Sequence, residues 1–128
     1  MLRKVLSRFR LMRVMGTSMS PTFRGGELVL VDKAIYNQER PMRGELVAAR
    51  PSSLGGKAIV KRVKGLPSER VEYCGKALQL GVDEYFVVGD NDEGLDSRGF
   101  GPLMRSELIG RIRMQFWPPR SLLRSTVS

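Results

Sequence analysis

The chain has 128 residues and a formal net charge of +9, with 22 Lys and Arg, 13 Asp and Glu, one Cys and no His. That length suits one domain, able to bury about two-thirds of the surface its unfolded chain exposes. A single cysteine closes no internal disulfide and leaves the redox compartment open, while the lack of histidine excludes Ser-His-Asp and Cys-His catalysis and any credible zinc or iron site. Residues 1–7 read as a short helical turn, and residues 8–15 as a strand that delivers the chain into a loop of small residues, VMGTSMSPT. Gly16 frees the backbone there, Pro21 fixes φ and Thr22 can bond locally, so the stretch after Ser18 is stiff, with Met19 as a core plug. Gly25-Gly26 turns into ELVLVDK (residues 27–33), a strand rich in branched residues. A turn at residues 41–44 leads to ELVAARP (residues 45–51), and SSLGG (residues 52–56) is a short flexible connection to the strand KAIVKR (residues 57–62). GLPSE is a loop. RVEY and KALQL pair as a hairpin around Gly75-Lys76, with Cys74 a small half-buried strand residue. EYFVVGD (residues 84–90) is a strand, a polar loop containing glycine runs to Gly101-Pro102, and LIGRIRMQF (residues 108–116) alternates well enough to be the last strand. Short strands punctuated by Gly and Pro predict an all-β barrel or sandwich with little helix.

Two stretches carry chemistry. Ser18 sits in the loop of small residues, and in a strand over KAIVKR the side chains of Ile59, Lys61 and Val63 share one side, with Val60, Arg62 and Lys64 on the other. Among apolar neighbours the Lys61 ammonium is desolvated and its pKa falls below the usual value of about 10.4, leaving a neutral amine that can take a proton from a serine. Without histidine, this lysine is the plausible base for Ser18.

At this point GTSMSPT, KAIVKRVKGLP and GDNDEGLDSRGFGP, in that order, resemble the type I signal peptidases, serine endopeptidases that use a Ser-Lys dyad; the similarity covers roughly residues 14–113. The resemblance implies a mostly antiparallel β core that holds an extended peptide segment of a precursor along a strand edge. It implies Ser18 as nucleophile, Lys61 as general base, and the loop Gly16, Thr17 and Ser18 as the oxyanion segment, with the Ser18 N–H as first donor. Gly16 stands where some relatives place a serine donor. Asp96, Ser97 and Arg98 match a triplet that buttresses the dyad, with Asp90 and Asn91 in support; what orients the Lys61 amine stays open, because DEGL is one residue shorter than in many relatives. Residues 90–93 otherwise read as a solvated acidic turn without EF-hand spacing, so neither metal nor cofactor is expected. Only a short interval, residues 66–88, stands where larger members insert a cap. Cleavage after a small residue is implied, as in Ala-x-Ala, and the compact chain also resembles the proteases that trim the extension of nickel superoxide dismutase.

The excess charge sits at the ends. Residues 1–26 carry six basic and no acidic residues, residues 108–128 four and none, while residues 27–107 hold twelve basic and thirteen acidic. The N-terminal segment (residues 1–13) and the tail (residues 114–128) interleave these charges with Leu2, Val5, Leu6 and Phe9, and with Phe116, Trp117, Leu122 and Leu123. That mixture suits peripheral contact with an anionic membrane; ordinary solvated arginines are the alternative. Apolar runs such as Leu28 to Val31 fall far short of the roughly 18 residues a spanning helix needs, and Arg3, Lys4, Arg8, Arg10 and Arg13 interrupt any signal-peptide centre. The expectation is a peripheral membrane or cytoplasmic enzyme, or a chain whose anchor is missing from this sequence. Rival readings are a LexA-like self-cleaving module, for which no N-terminal target extension is evident, a non-catalytic relative, and a basic β-barrel binding nucleic acid. Scattered aromatics make nucleic acid an unexpected partner.

Overall fold

The computed structural model describes residues 2–92, 94–118 and 120–121. Helix α1 (Leu2–Arg8) leads into β1 (Phe9–Arg13); then come β2 (Leu28–Asp32), β3 (Leu46–Ala49), β4 (Ile59–Gly65), β5 (Arg70–Tyr73), β6 (Lys76–Gln79) and β7 (Glu84–Val88). Helix α2 (Ser97–Phe100), β8 (Leu103–Met104), β9 (Leu108–Trp117) and β10 (Arg120–Ser121) follow. One curled antiparallel sheet has the order β1-β2-β9-β3-β4-β7-β8, with β10 on β9, and β5-β6 is a separate hairpin. The expected all-β, mostly antiparallel architecture is therefore observed.

The pattern of β3 shows how the sheet is built. All four of its residues are buried, with Leu46 and Ala48 in one apolar cluster and Val47 and Ala49 in another. Successive strand residues point to opposite faces, so β3 has a core on each side, and its run LVAA reads as continuously apolar for that reason. The first cluster gathers Val29, Val31, Val60 and Ile112 with Met12, Val14, Met19 and Phe23; the second gathers Val63, Tyr85, Val87 and Leu103. Met19 directly follows Ser18 and Phe23 closes the turn behind it, the two joined by a 3.0 Å bond from the Phe23 N–H to the Met19 carbonyl. Burying the two side chains fixes that loop to the core, and each contributes about 1.5–3 kcal/mol.

Several boundaries differ from the sequence expectation. The strand expected over residues 8–15 is shorter because α1 extends to Arg8, whose guanidinium is pinned by Asp32, Nε to Oδ1 2.8 Å and Nη2 to Oδ2 2.8 Å. Residues 27–33, 45–51 and 84–90 each lose one or two strand positions at one or both ends, and the strand expected over 57–62 loses two at its start and gains three at its end. The hairpin turns at Cys74-Gly75, with Tyr73 opposite Lys76, not at Gly75-Lys76. Both turn residues have positive φ, +50° and +73°, which matches the right-handed twist of a two-residue hairpin. Cys74 is consequently an exposed turn residue and not a half-buried strand one. The connection at residues 52–56 is no loose linker: it contains a 3-10 turn (Ser52–Leu54), and the Ser52 N–H and Oγ both donate to Glu107 Oε2 at 2.7 Å. The polar loop before Gly101 contains α2, capped by Asp96, whose carboxylate accepts from the Arg98 N–H.

Candidate active site

Ser18 and Lys61 line one pocket of about 540 Å³, together with Met12 to Met19, Leu54, residues 57–60, Gly94 and Leu95. The serine comes from the loop after β1 and the lysine from the middle of β4. Lys61 lies opposite Val47 in the β3-β4 ladder, and Val63, two residues on, belongs to the cluster of Val47. Directly opposed residues share a face, so the expected grouping of Ile59, Lys61 and Val63 is what the register produces. Lys61 is only 3% exposed. Its burial pushes the ammonium pKa down; the Asp96 carboxylate works against that shift and the Arg98 guanidinium with it. Among the described residues no hydrogen bond joins Ser18 Oγ to the Lys61 amine. Such pairs are commonly longer in free enzymes than in their complexes.

Residues 89–92 and 94–98 wrap the pair. The Asn91 N–H donates to the Ser18 carbonyl at 2.9 Å. Two glycines, which sequence reasoning did not single out, make this approach possible: a Cβ on Gly89 would lie 2.5 Å from the Ser18 carbonyl oxygen, and one on Gly94 2.8 Å from the Ser18 Cβ. Real Cβ atoms do not come so close, and Gly94 also has φ +90°. Further on, Asp96 is 2% exposed and fully engaged: it accepts from the Gly89 N–H at 2.9 Å, the Arg98 N–H at 2.9 Å and the Arg98 Nε at 2.9 Å. Burial pushes the Asp96 carboxyl up, but the bonds from Arg98 and Gly89 outweigh it and hold it below the usual carboxylate range. Ser97 is fully buried, its Oγ accepting from the Val87 N–H at 2.9 Å, which ties the triplet to β7.

Asp90 anchors the same wrap from the other side. Arg62 Nε and Nη2 donate to its two oxygens at 2.8 and 2.9 Å, and the Thr22 hydroxyl donates to Oδ2. Here too burial raises the carboxyl, but Arg62 and Thr22 outweigh it and leave the pKa low. Gly16 and Thr17 line the pocket beside Ser18, Gly16 with φ +73°. Every residue singled out in the sequence at this site is thus gathered around one pocket or one step behind it. No group of acidic, Cys or His residues that could hold a metal occurs among the described residues.

A family model described as signal peptidase, peptidase S26, matches residues 2–82 and 79–117. The chain belongs to this signal peptidase family. Among curated relatives, the "Probable signal peptidase I-2" of Synechocystis sp. is 30% identical, over 80% of this chain and 60% of its own length. The "Signal peptidase I" of Leptolyngbya laminosa is 28% identical, over 82% and 67% respectively. The "Mitochondrial inner membrane protease subunit 1" of Xenopus tropicalis is 30% identical, over 83% and 68%. The chain therefore spans about 60–68% of the length of these relatives. Its family is one of serine-type endopeptidases.

Proposed function

We propose that this signal peptidase family member removes an N-terminal leader or pro-segment from precursor proteins, cutting after a small residue, with Ser18 as nucleophile and Lys61 as general base. The observation that carries the reading is that Ser18 shares a pocket with a lysine that is 3% exposed and whose pKa burial lowers. The neutral Lys61 amine takes the Ser18 hydroxyl proton as Oγ adds to the scissile carbonyl. The resulting ammonium gives that proton to the departing amine as the C–N bond breaks. Water, deprotonated by the same amine, then adds to the acyl ester; expulsion of Ser18 Oγ, which regains its proton, frees the acid. The oxyanion is received by the Ser18 N–H, which takes no backbone acceptor among the described residues. Asp96, Ser97 and Arg98 position the lysine's surroundings, and Asp90 with Asn91 positions the serine loop.

The test is cleavage of an Ala-x-Ala peptide by Ser18→Ala and Lys61→Ala. Each should lose at least about a thousandfold in kcat/KM, and in the wild type the rate should rise with pH as the lysine's depressed pKa is passed. Full activity in either variant overturns the mechanism.

A second reading concerns location. Among the described residues no helix is long and apolar enough to cross a membrane. Yet Leu11, Leu30 and Met114 stand in one row across β1, β2 and β9, and Leu28 pairs with Trp117 beside them. Leu11 and Trp117 are 46% and 64% exposed, and Arg10 and Arg113 are exposed nearby. An apolar row with flanking cations fits peripheral contact with an anionic membrane, as Phe116 and Trp117 suggested; Leu122 and Leu123 lie outside the described residues.

A further inference from the structure

The pocket that holds Ser18 and Lys61 is lined by two further cations, Arg13 and Lys57, and among the described residues none that lines it carries a carboxylate. We propose that the site selects precursors bearing an aspartate or glutamate a few residues from the scissile bond, with Arg13 and Lys57 as its receptors. The inference rests on the peptidase reading above.

Both cations are presented by fixed backbone. Arg13 ends β1, and its Nη1 donates to the Gly26 carbonyl at 2.7 Å, which aims the guanidinium while leaving its other N–H groups available. Lys57 follows the 3-10 turn that Glu107 holds through Ser52, Arg50 Nε binds the Gly56 carbonyl at 2.9 Å, and the Lys57 N–H bonds the Leu54 carbonyl at 3.2 Å. Neither side chain forms an ion pair among the described residues. Among the described residues, acids of the neighbouring segments are engaged elsewhere. Glu27 accepts from the Arg24 N–H at 2.7 Å, while Asp90 and Asp96 are held by Arg62 and Arg98. Apart from Thr17, Ser18 and Lys61, the rest of the lining, including Met12, Val14, Ile59 and Leu95, consists of apolar residues and glycines. A small or apolar residue therefore suits the pocket beside the dyad, and a carboxylate suits the cationic positions.

The spacing fixes where the acid belongs. Lys57 precedes Lys61 by four residues, on the approach to β4, while Arg13 ends β1 and reaches Ser18 through a turning segment. At about 3.3 Å per residue, an extended peptide lying along β4 covers the interval from Lys61 to Lys57 in three to five residues. The acidic side chain therefore falls that far from the scissile carbonyl, on whichever side of it the peptide runs along β1 and β4.

A set of fluorogenic peptides with Ala-x-Ala at the cut, carrying one Asp or one Asn at each position up to six residues to either side, tests this by kcat/KM. The expected result is a single maximum three to five residues from the cut, where Asp exceeds Asn by about three- to tenfold. The ratio should fall towards one in about 0.5 M NaCl. Lys57→Glu should invert the preference, so that Lys at that position outruns Asp, and Arg13→Gln should shrink it, with melting temperatures confirming that the variants fold. A flat Asp scan, or an unchanged preference in Lys57→Glu, overturns the inference while leaving the peptidase reading standing. Failure to cut any peptide overturns both.

Discussion

Arg62 and Asp90 are joined by two parallel hydrogen bonds, Nε to Oδ1 at 2.8 Å and Nη2 to Oδ2 at 2.9 Å. Arg62 is the chain neighbour of Lys61, and Asp90 also receives the Thr22 hydroxyl from the serine loop. The fork therefore couples the strand bearing the proposed base to the loop bearing the proposed nucleophile. A planar guanidinium sets both distance and orientation in such a pair, which a lysine would not.

Asp90→Asn keeps the shape but removes the charge that Arg62 and Thr22 satisfy. It should cost about 1.5–3 kcal/mol in urea unfolding at pH 7 and lower kcat more than it raises KM, because the geometry of the proposed dyad is what it disturbs. The folded carboxyl pKa lies below its unfolded value of about 3.9. The stabilisation it contributes is present above that value and is lost as pH falls through the folded pKa. The gap in stability between wild type and Asp90→Asn should accordingly narrow below about pH 4. A gap that persists unchanged at pH 2.5 would place the cost elsewhere.

Lys61→Met separates stability from activity. Burial disfavours the Lys61 ammonium, so its folded pKa lies below the unfolded one. The cost to stability is complete below the folded pKa and disappears as pH rises past about 10.4. Methionine carries no such cost, and Asp96 keeps its partners Arg98 and Gly89 when the lysine is removed. The variant should be inactive yet melt at or up to about 5 °C above wild type at pH 7, with the difference shrinking towards pH 10. A melting point well below wild type would show that Lys61 holds the fold as well as the site.

The strands, and the burial of Lys61 in one of them, were legible in the sequence because they rest on signals that local chemistry writes directly. LVLV, LVAA and YFVV are branched or apolar runs, and a lysine placed between Ile59 and Val63 in a strand has to share their buried side. What escaped depends on contacts between distant segments. The four-residue α2 exists because Asp96 caps it while bonding Gly89, and no periodicity marks so short a helix. Gly89 and Gly94 looked like ordinary punctuation of a polar loop, since only the fold brings Ser18 against them. Cys74 was misplaced because a cysteine at φ +50° follows from the register of β5 with β6, not from any turn preference of its own. The role of Asp90 was half visible: its support of the site was expected, its partner Arg62 was not.

Gly94→Ala tests how closely the wrap must seat on the serine. The new methyl would lie 2.8 Å from the Ser18 Cβ on a backbone at φ +90°, so both the loop and the serine have to move. Strain of this kind costs about 1–3 kcal/mol. The effect on kcat should be at least about a hundredfold, because displacing a reacting group by about 1 Å is that costly. Gly26→Ala has positive φ too, +94°, but no atom within 4 Å of the added methyl. It should show the backbone cost without the loss of kcat. Equal kcat losses in the two variants would mean that backbone strain, and not contact with Ser18, limits the site.

The row formed by Leu11, Leu30 and Met114 carries the last prediction, made with vesicles. Anionic vesicles should sediment the protein and neutral ones should not, since each basic residue near the surface contributes about 1 kcal/mol of attraction that salt screens. Replacing Leu11, Phe116 and Trp117 together with serine should remove most of the binding that survives in high salt, because burying those side chains in the interface supplies the salt-resistant part. Arg113→Gln should weaken binding chiefly at low salt. Leu11, Phe116 and Trp117 are not among the residues that line the pocket of Ser18 and Lys61. Cleavage of a short soluble peptide should therefore be unaffected by the triple replacement. Sedimentation with neutral and anionic vesicles alike, or with neither, would remove the membrane reading and leave the exposed row without that role.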